Sequence, residues 1–415
     1  MSMAIQIGAR WLLLASLTGA DGSAAGRFGY WPQFRGPNRD GVSSDRGLLA
    51  KWPEGGPRVE WKSGELGEGY SSVALAGDRI YILGASGEEE SIHALNAADG
   101  RKVWSKRIGS PFRNKWGDGP RSTPVVAGER VYVLGSRGDL CCFAAADGKP
   151  LWNVNVLEKF SGRNIKWGIS ESPLVDGDRV ICNTGGRGGS VVAFDAQTGS
   201  VAWRSVGLDE GCAYASAVTV DVGGVRQYVH FLAGAAVGIR AVDGKPLWRY
   251  EKVANDTANC SNPVISGDLV FLSSAYDTGS ALLKLLPDKD GTRVEEVYFT
   301  RELMNHHGGV ILHEGYLYGC SNKMLTCLEL KTGKEMWTNR GVGKGALTLA
   351  DGKLYCISER GDAGLIAASP GGYEELGRFR VEPSGPATFA HLAVTGGRMY
   401  LRNGGELICY DVKRQ

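Results

Sequence analysis

Arg121, Lys344, Glu171, the histidines His306, His307 and His391, the tyrosines Tyr70 and Tyr214, and Asn262 are among the side chains of this 415-residue chain that could hold a ligand or move a proton. They lie far apart in sequence, yet an internal repeat brings them into register. Counted three residues before Pro124 and its equivalents, one column reads Tyr70, Arg121, Ser170, Tyr214, Cys260, His306, Lys344 and Phe389. The next column contributes Glu171 and His307, and the one after it Asn262 and His391. Arg and Lys suit an anion, and a histidine such as His306 can carry a proton near neutral pH. The same groups could instead satisfy one another and channel water, as buried polar groups must.

Two tryptophans add a flat surface. Trp116 in Asn114-Lys115-Trp116-Gly117-Asp118 and Trp167 in Asn164-Ile165-Lys166-Trp167-Gly168 each sit in a loop that enters an inner strand. Two repeats thus present a Lys-Trp-Gly loop at one place, able to stack a sugar or planar cofactor beside a cation, or simply to pack the loop. His306 and His307 are adjacent, and neighbours on a strand point to opposite faces, so they are not expected to share a metal and no metal site is predicted. The nine cysteines fall mostly within predicted strands and read as buried free thiols. Extended geometry disfavours a Cys141-Cys142 disulfide.

The elements that position these residues come from the repeat itself. NAADGRKVW (Asn96 to Trp104) returns as AAADGKPLW ending at Trp152 and DAQTGSVAW ending at Trp203, and again in copies ending at Trp248 and Trp337. Two weaker copies end at Phe299 and Phe379, with Phe replacing Trp. A period of roughly 40 to 50 residues is that of a four-stranded propeller blade. Eight first hairpins turn at Gly77-Asp78, Gly128-Glu129, Gly177-Asp178, Gly223-Gly224, Gly267-Asp268, Glu314-Gly315, Asp351-Gly352 and Gly396-Gly397. The eighth unit stops before a fourth strand, and Arg58-Val59-Glu60-Trp61-Lys62 is a strand without a hairpin. The expectation is an all-β, eight-bladed propeller over residues 58–415, its blades four-stranded and antiparallel, closed by that N-terminal strand. The Trp should wedge between blades, and the eight-residue column should ring the central channel as a ligand pocket.

Residues 26–57, rich in Gly, Pro, Arg and Asp, should form an irregular strap anchored by Trp31, Phe34 and Trp52. Residues 1–25 have the pattern of an export signal: Arg10, the apolar run Trp11 to Leu17, and Ser23-Ala24-Ala25 as a cleavage site. That run is too short to span a bilayer. With 47 basic against 45 acidic residues, nothing global steers the chain to nucleic acid. A soluble, periplasmic or otherwise exported monomer is expected.

With the Trp-bearing repeat, eight units and closing strand, the chain from about Pro57 onward resembles the pyrroloquinoline quinone (PQQ)-like β-propeller repeat proteins. The repeat is similar to the tryptophan docking motif of quinoprotein alcohol dehydrogenases and of the outer-membrane assembly lipoprotein of the β-barrel machinery. Trp31-Pro32-Gln33-Phe34-Arg35-Gly36-Pro37-Asn38-Arg39-Asp40-Gly41 and Asn305-His306-His307-Gly308-Gly309 are similar to exported bacterial PQQ-binding-like propellers, some named polyvinyl-alcohol dehydrogenase-like. The dehydrogenase likeness implies PQQ with calcium on the axis, its carboxylates on Arg121 and Lys344, its ring on Trp116 or Trp167, and Glu171 as metal ligand or base. Against that pattern, Asn183-Thr184-Gly185-Gly186-Arg187-Gly188-Gly189 lacks the expected acid, and no haem domain is present. The lipoprotein likeness implies a scaffold that holds a small polar or carbohydrate ligand, or an envelope protein, without catalysis. No cysteine near Ala25 offers a lipid anchor.

Overall fold

The computed structural model describes residues 27–414 except 290, 322 and 323, so the expected export signal lies outside the described residues. Eight four-stranded antiparallel sheets follow one another in chain order, with one helical turn, Val156–Lys159, as the only α-helix among the described residues. The last sheet takes Val59–Ser63 as its fourth strand, beside Glu406–Asp411, with Trp61 opposite Cys409. The ring is therefore closed by pairing strands from opposite ends of the chain, and the first and last blades leave no open sheet edge between them. Blades are numbered here from 74–109 (blade 1) to the sheet containing Ala393–Thr395 (blade 8).

Hydrophobic packing follows from this geometry. A middle strand has a neighbouring blade against each face, so Arg130–Leu134 is buried at four consecutive positions, whereas the outer strand Lys102–Gly109 is mostly exposed or half-buried. The core divides into eight clusters, one at each junction. The junction of blades 1 and 2, for example, joins Tyr81, Leu83 and Ile92 to Val131, Val133 and Phe143.

Four of the five repeated tryptophans hydrogen-bond to the next blade, whereas Trp248 Nε1 donates to Gln227 Oε1 of its own blade at 2.8 Å. Trp104 Nε1 donates to the Ala145 carbonyl at 3.2 Å, Trp152 to Ala196 at 3.0 Å and Trp203 to Ala241 at 3.0 Å. Each ring lies on the turn glycine of the following blade: a Cβ on Gly148, Gly199 or Gly244 would stand 2.4–2.7 Å from indole carbons, and these glycines have φ of 71–76°. Glycine is needed there for both the close approach and the left-handed backbone. The two weak copies behave differently from the sequence expectation. In blade 5 the Trp place, opposite Leu282, belongs to Tyr298 rather than Phe299, and its hydroxyl donates to the Leu330 carbonyl at 2.8 Å. In blade 7 the corresponding residue, opposite Leu365, is Gly377 rather than Phe379, and Trp52 of the strap packs against it. The same bulge stands beside the tryptophans of the full copies; in blade 5 what differs is the hairpin, paired out to Asp288 and Gly291, so a count from the turn does not reach the same place.

The strap crosses the hub. Trp31 pairs with Leu75 of blade 1, the Pro32 carbonyl accepts from Val126 N of blade 2, Arg39 reaches blade 3, Arg35 blade 6, Val42 pairs with Leu349 of blade 7, and Leu48 and Trp52 join the blade 7–8 core. It plugs the channel instead of lying over the rim. Two buried guanidiniums fasten it: Arg39 donates to the Ser172 and Pro173 carbonyls at 2.8 and 3.0 Å, and Arg35 to the Val310 carbonyl at 2.7 Å.

Candidate functional site

Above the plug lies a cavity of about 380 Å³ at the hub, and all eight residues of the column that precedes the inner strands line it: Tyr70, Arg121, Ser170, Tyr214, Cys260, His306, Lys344 and Phe389. Trp116, Trp167, His307 and His391 also face it, and Phe34 of the strap lines it too, packed edge-on against His391 at 4.9 Å. Trp116 is 45% exposed and stands at the mouth. In the Lys-Trp-Gly loops Lys115 Nζ is 5.8 Å from the Trp116 ring and Lys166 Nζ 5.0 Å from that of Trp167. Trp167 in turn leans on Tyr214, 5.6 Å between centroids.

Arg121 is fixed by its own loop, donating to the Gly119 and Gly117 carbonyls at 3.0 Å each, with its guanidinium over Tyr70 at 5.1 Å. Burial lowers its pKa, but from so high a value that it stays charged. Across the cavity, Glu359 Oε1 is 2.9 Å from Lys344 Nζ and 2.8 Å from His307 Nε2. Burial alone would raise the Glu359 carboxyl; hydrogen bonds and charge from His307 and Lys344 outweigh it and bring the pKa down to about 2. His306 is the opposite case: burial, helped by His307 and Lys344, pushes it down to about 3, so its imidazole is neutral at pH 7. Its Nε2 is 2.9 Å from the Tyr276 hydroxyl.

Glu171 and Asn262 do not line this cavity. Glu171, 2% exposed, turns into the junction of blades 3 and 4, where Oε2 accepts from Asn183 N at 2.9 Å and Oε1 lies 3.1 Å from His230 Nε2. Ser71, in the same column, likewise accepts from Leu83 N. Side chains alternate along the unbent segment that leads into the strand, which gives that column to the blade interior. The third column faces the hub again but is spent on linking blades: Thr123 N donates to Ser172 Oγ, Ser172 N to Ser216 Oγ, Ser216 N to Asn262 Oδ1 and His391 N to Ser72 Oγ, at 2.8–2.9 Å. Asn262 borders a second cavity, of about 470 Å³, between the strap and blades 3 to 6.

The histidine pair departs from the expectation. His306 and His307 precede the strand Ile311–His313 in an irregular segment that bends at His307-Gly308, and Gly309 has a φ of 73°. Strand alternation does not apply there, and both rings face the cavity, 5.1 Å apart. Sequence reading missed Glu359 and Tyr276, on the turns joining second and third strands of blades 7 and 5. In an antiparallel blade that turn shares an end with the start of the first strand, a signal that could have pointed to both. All nine cysteines are free; eight are buried and Cys260 is half-buried, its thiol pushed up to about 12 by burial.

An eight-bladed ring of four-stranded sheets with its individuality gathered at the hub defines the PQQ-like β-propeller class. The chain belongs to that family: the family model described as outer membrane protein assembly factor BamB matches residues 53–158 and 88–339. The outer membrane protein assembly factor BamB of Burkholderia pseudomallei is 27% identical over 280 residues, which are 65% of this chain and 65% of that relative, so the chain matches somewhat under two thirds of its length. Among solved structures, BamB from Moraxella catarrhalis superposes with a TM-score of 0.63 at 12% identity, covering 86% of this chain and 99% of that one. Quinohemoprotein alcohol dehydrogenase from Comamonas testosteroni gives 0.68 at 14% identity, covering 94% and 82%. At such identities the structures speak for the fold alone.

Proposed function

We propose that this chain is an exported binding protein whose hub cavity holds a small anionic ring compound, with a sugar acid as the class that suits it best. The observation that carries this reading is the cavity lining. Arg121, Lys344 and Arg360 face a single carboxylate, Glu359, so the lining has a positive balance, and Tyr70, Trp116, Trp167, Tyr214 and Phe389 offer ring faces around it. Sugar C–H faces pack on such rings, and a carboxylate gains charge-assisted hydrogen bonds from a guanidinium. Export rests on the N-terminal pattern and on relatives named as outer membrane assembly factors. No helix among the described residues is long and apolar enough to cross a membrane.

The dehydrogenase reading fares less well on the same lining. Calcium takes six to eight oxygen ligands, whereas the cavity offers one carboxylate, already shared by His307 and Lys344, and Glu171 is turned away. The donor set does not fit calcium.

Tryptophan fluorescence and calorimetry with uronic-acid oligosaccharides and their neutral counterparts test the proposal. The acidic sugars should bind and alter the Trp116 and Trp167 emission, and Arg121→Gln should weaken them by about 10- to 100-fold, the worth of one charged hydrogen bond. Equal binding of neutral sugars, or no dependence on Arg121, would refute it. PQQ binding with calcium-dependent alcohol oxidation would favour the dehydrogenase instead.

A further inference from the structure

Within the same cavity, His306, His307 and Glu359 form a compact group of a different chemistry. One ligand atom from each lies within 4.8 Å of the others, and none of the three side chains is sealed from the cavity. Two imidazoles and a carboxylate on one side of an open space are the donor set of metal sites that keep positions free for a further ligand. We propose that these three residues bind a divalent transition-metal ion of the zinc, cobalt or nickel type, and that the Lys344 ammonium is a built-in competitor for it.

His306, His307 and Glu359 all border the open cavity. Nδ1 of both histidines is buried without a hydrogen-bond partner, while their Nε2 atoms meet Tyr276 and Glu359. Metal–donor distances of about 2.0–2.2 Å would draw the three ligand atoms together by about an ångström, within reach of side-chain rotation. The backbone beneath is held: His391 Nε2 bonds the His307 carbonyl at 2.8 Å, and Glu359 N bonds the Lys344 carbonyl at 2.9 Å. Tyr276, already on His306, would serve as an outer partner orienting the ring. Imidazole selects against calcium and magnesium, which want oxygen.

Lys344 gives the proposal its sharpest consequence. Its ammonium sits 2.9 Å from the same Glu359 oxygen that approaches His307, so an incoming dication must displace it. Removing that charge should therefore tighten binding, whereas an unrelated surface site would not respond. This holds whatever anion the cavity takes, since the probe is the metal alone.

Chelator-treated protein should take up one equivalent of zinc or cobalt(II) in calorimetry, and cobalt should develop a visible absorption band reporting nitrogen ligation. His307→Ala and Glu359→Gln should weaken uptake at least about tenfold and Lys344→Met should strengthen it by a similar factor; circular dichroism confirms folding, and His306→Gln replaces any variant that fails to fold. Calcium should give no heat. Uptake that is indifferent to His307 and Glu359, uptake by Lys344→Met alone, or no uptake by any form would overturn the inference.

Discussion

Removing the Arg39 guanidinium tests whether Glu171 serves structure or chemistry. Arg39 is 3% exposed and holds the strap to blade 3 through the Ser172 and Pro173 carbonyls. Burial pulls its pKa down to about 10, and Glu171 is the charge that opposes this loss. Arg39→Met would leave the 2%-exposed Glu171 with only His230 and the Asn183 amide as polar company, and would strip two buried carbonyls of their donor. Leaving a buried polar group without its donor costs about 1–3 kcal/mol. The double variant Arg39→Met/Glu171→Gln removes both charges and should recover on the order of 1–3 kcal/mol of that loss as coupling. Chemical denaturation of the four proteins gives the cycle, and fluorescence titration with the sugar acid gives binding in the cavity. Glu171→Gln should lower stability and leave ligand affinity nearly unchanged. A variant of Glu171 that keeps full stability yet loses binding would show that the residue belongs to the cavity after all.

Acid should destabilise the fold from about pH 6.5 downward. His306 and His391, at about 3, and His93, at about 4, are all depressed first by burial, so the unfolded chain takes up protons near 6.5 that the folded chain refuses. Glu90, raised by burial to about 7, works the other way between 7 and 4.5. Two net protons remain, worth about 3 kcal/mol per pH unit at the steepest; denaturation curves from pH 7 to 4.5 that show no loss would contradict the buried neutral imidazoles. At the blade junctions, Trp104→Ala should cost about 3–5 kcal/mol and Tyr298→Phe only about 0.5–1.5 kcal/mol, since the latter keeps the ring on Gly333 and loses one hydrogen bond. Equal losses from the two in denaturant would mean that the ring contact carries little.

The amino-acid sequence alone determined the eight blades, the strand around Trp61 that closes them, and the column from Tyr70 to Phe389 that rings the hub. These follow from local turn chemistry and a fixed period, which the chain repeats within each 40- to 50-residue unit. Tertiary structure decided what local rules cannot reach. Strand pairing along a longer hairpin put Tyr298, not Phe299, in the tryptophan's place, and Trp52 came from the strap to fill the slot at Gly377. Glu171 turned inward because its chain neighbours Ser170 and Ser172 face the hub, while the bend at His307-Gly308 freed His306 and His307 from that alternation. Glu359 and Tyr276 joined them because antiparallel pairing returns the second-to-third-strand turn to the same end of the ring, a meeting of blades 5, 6 and 7 that exists only once the circle has closed.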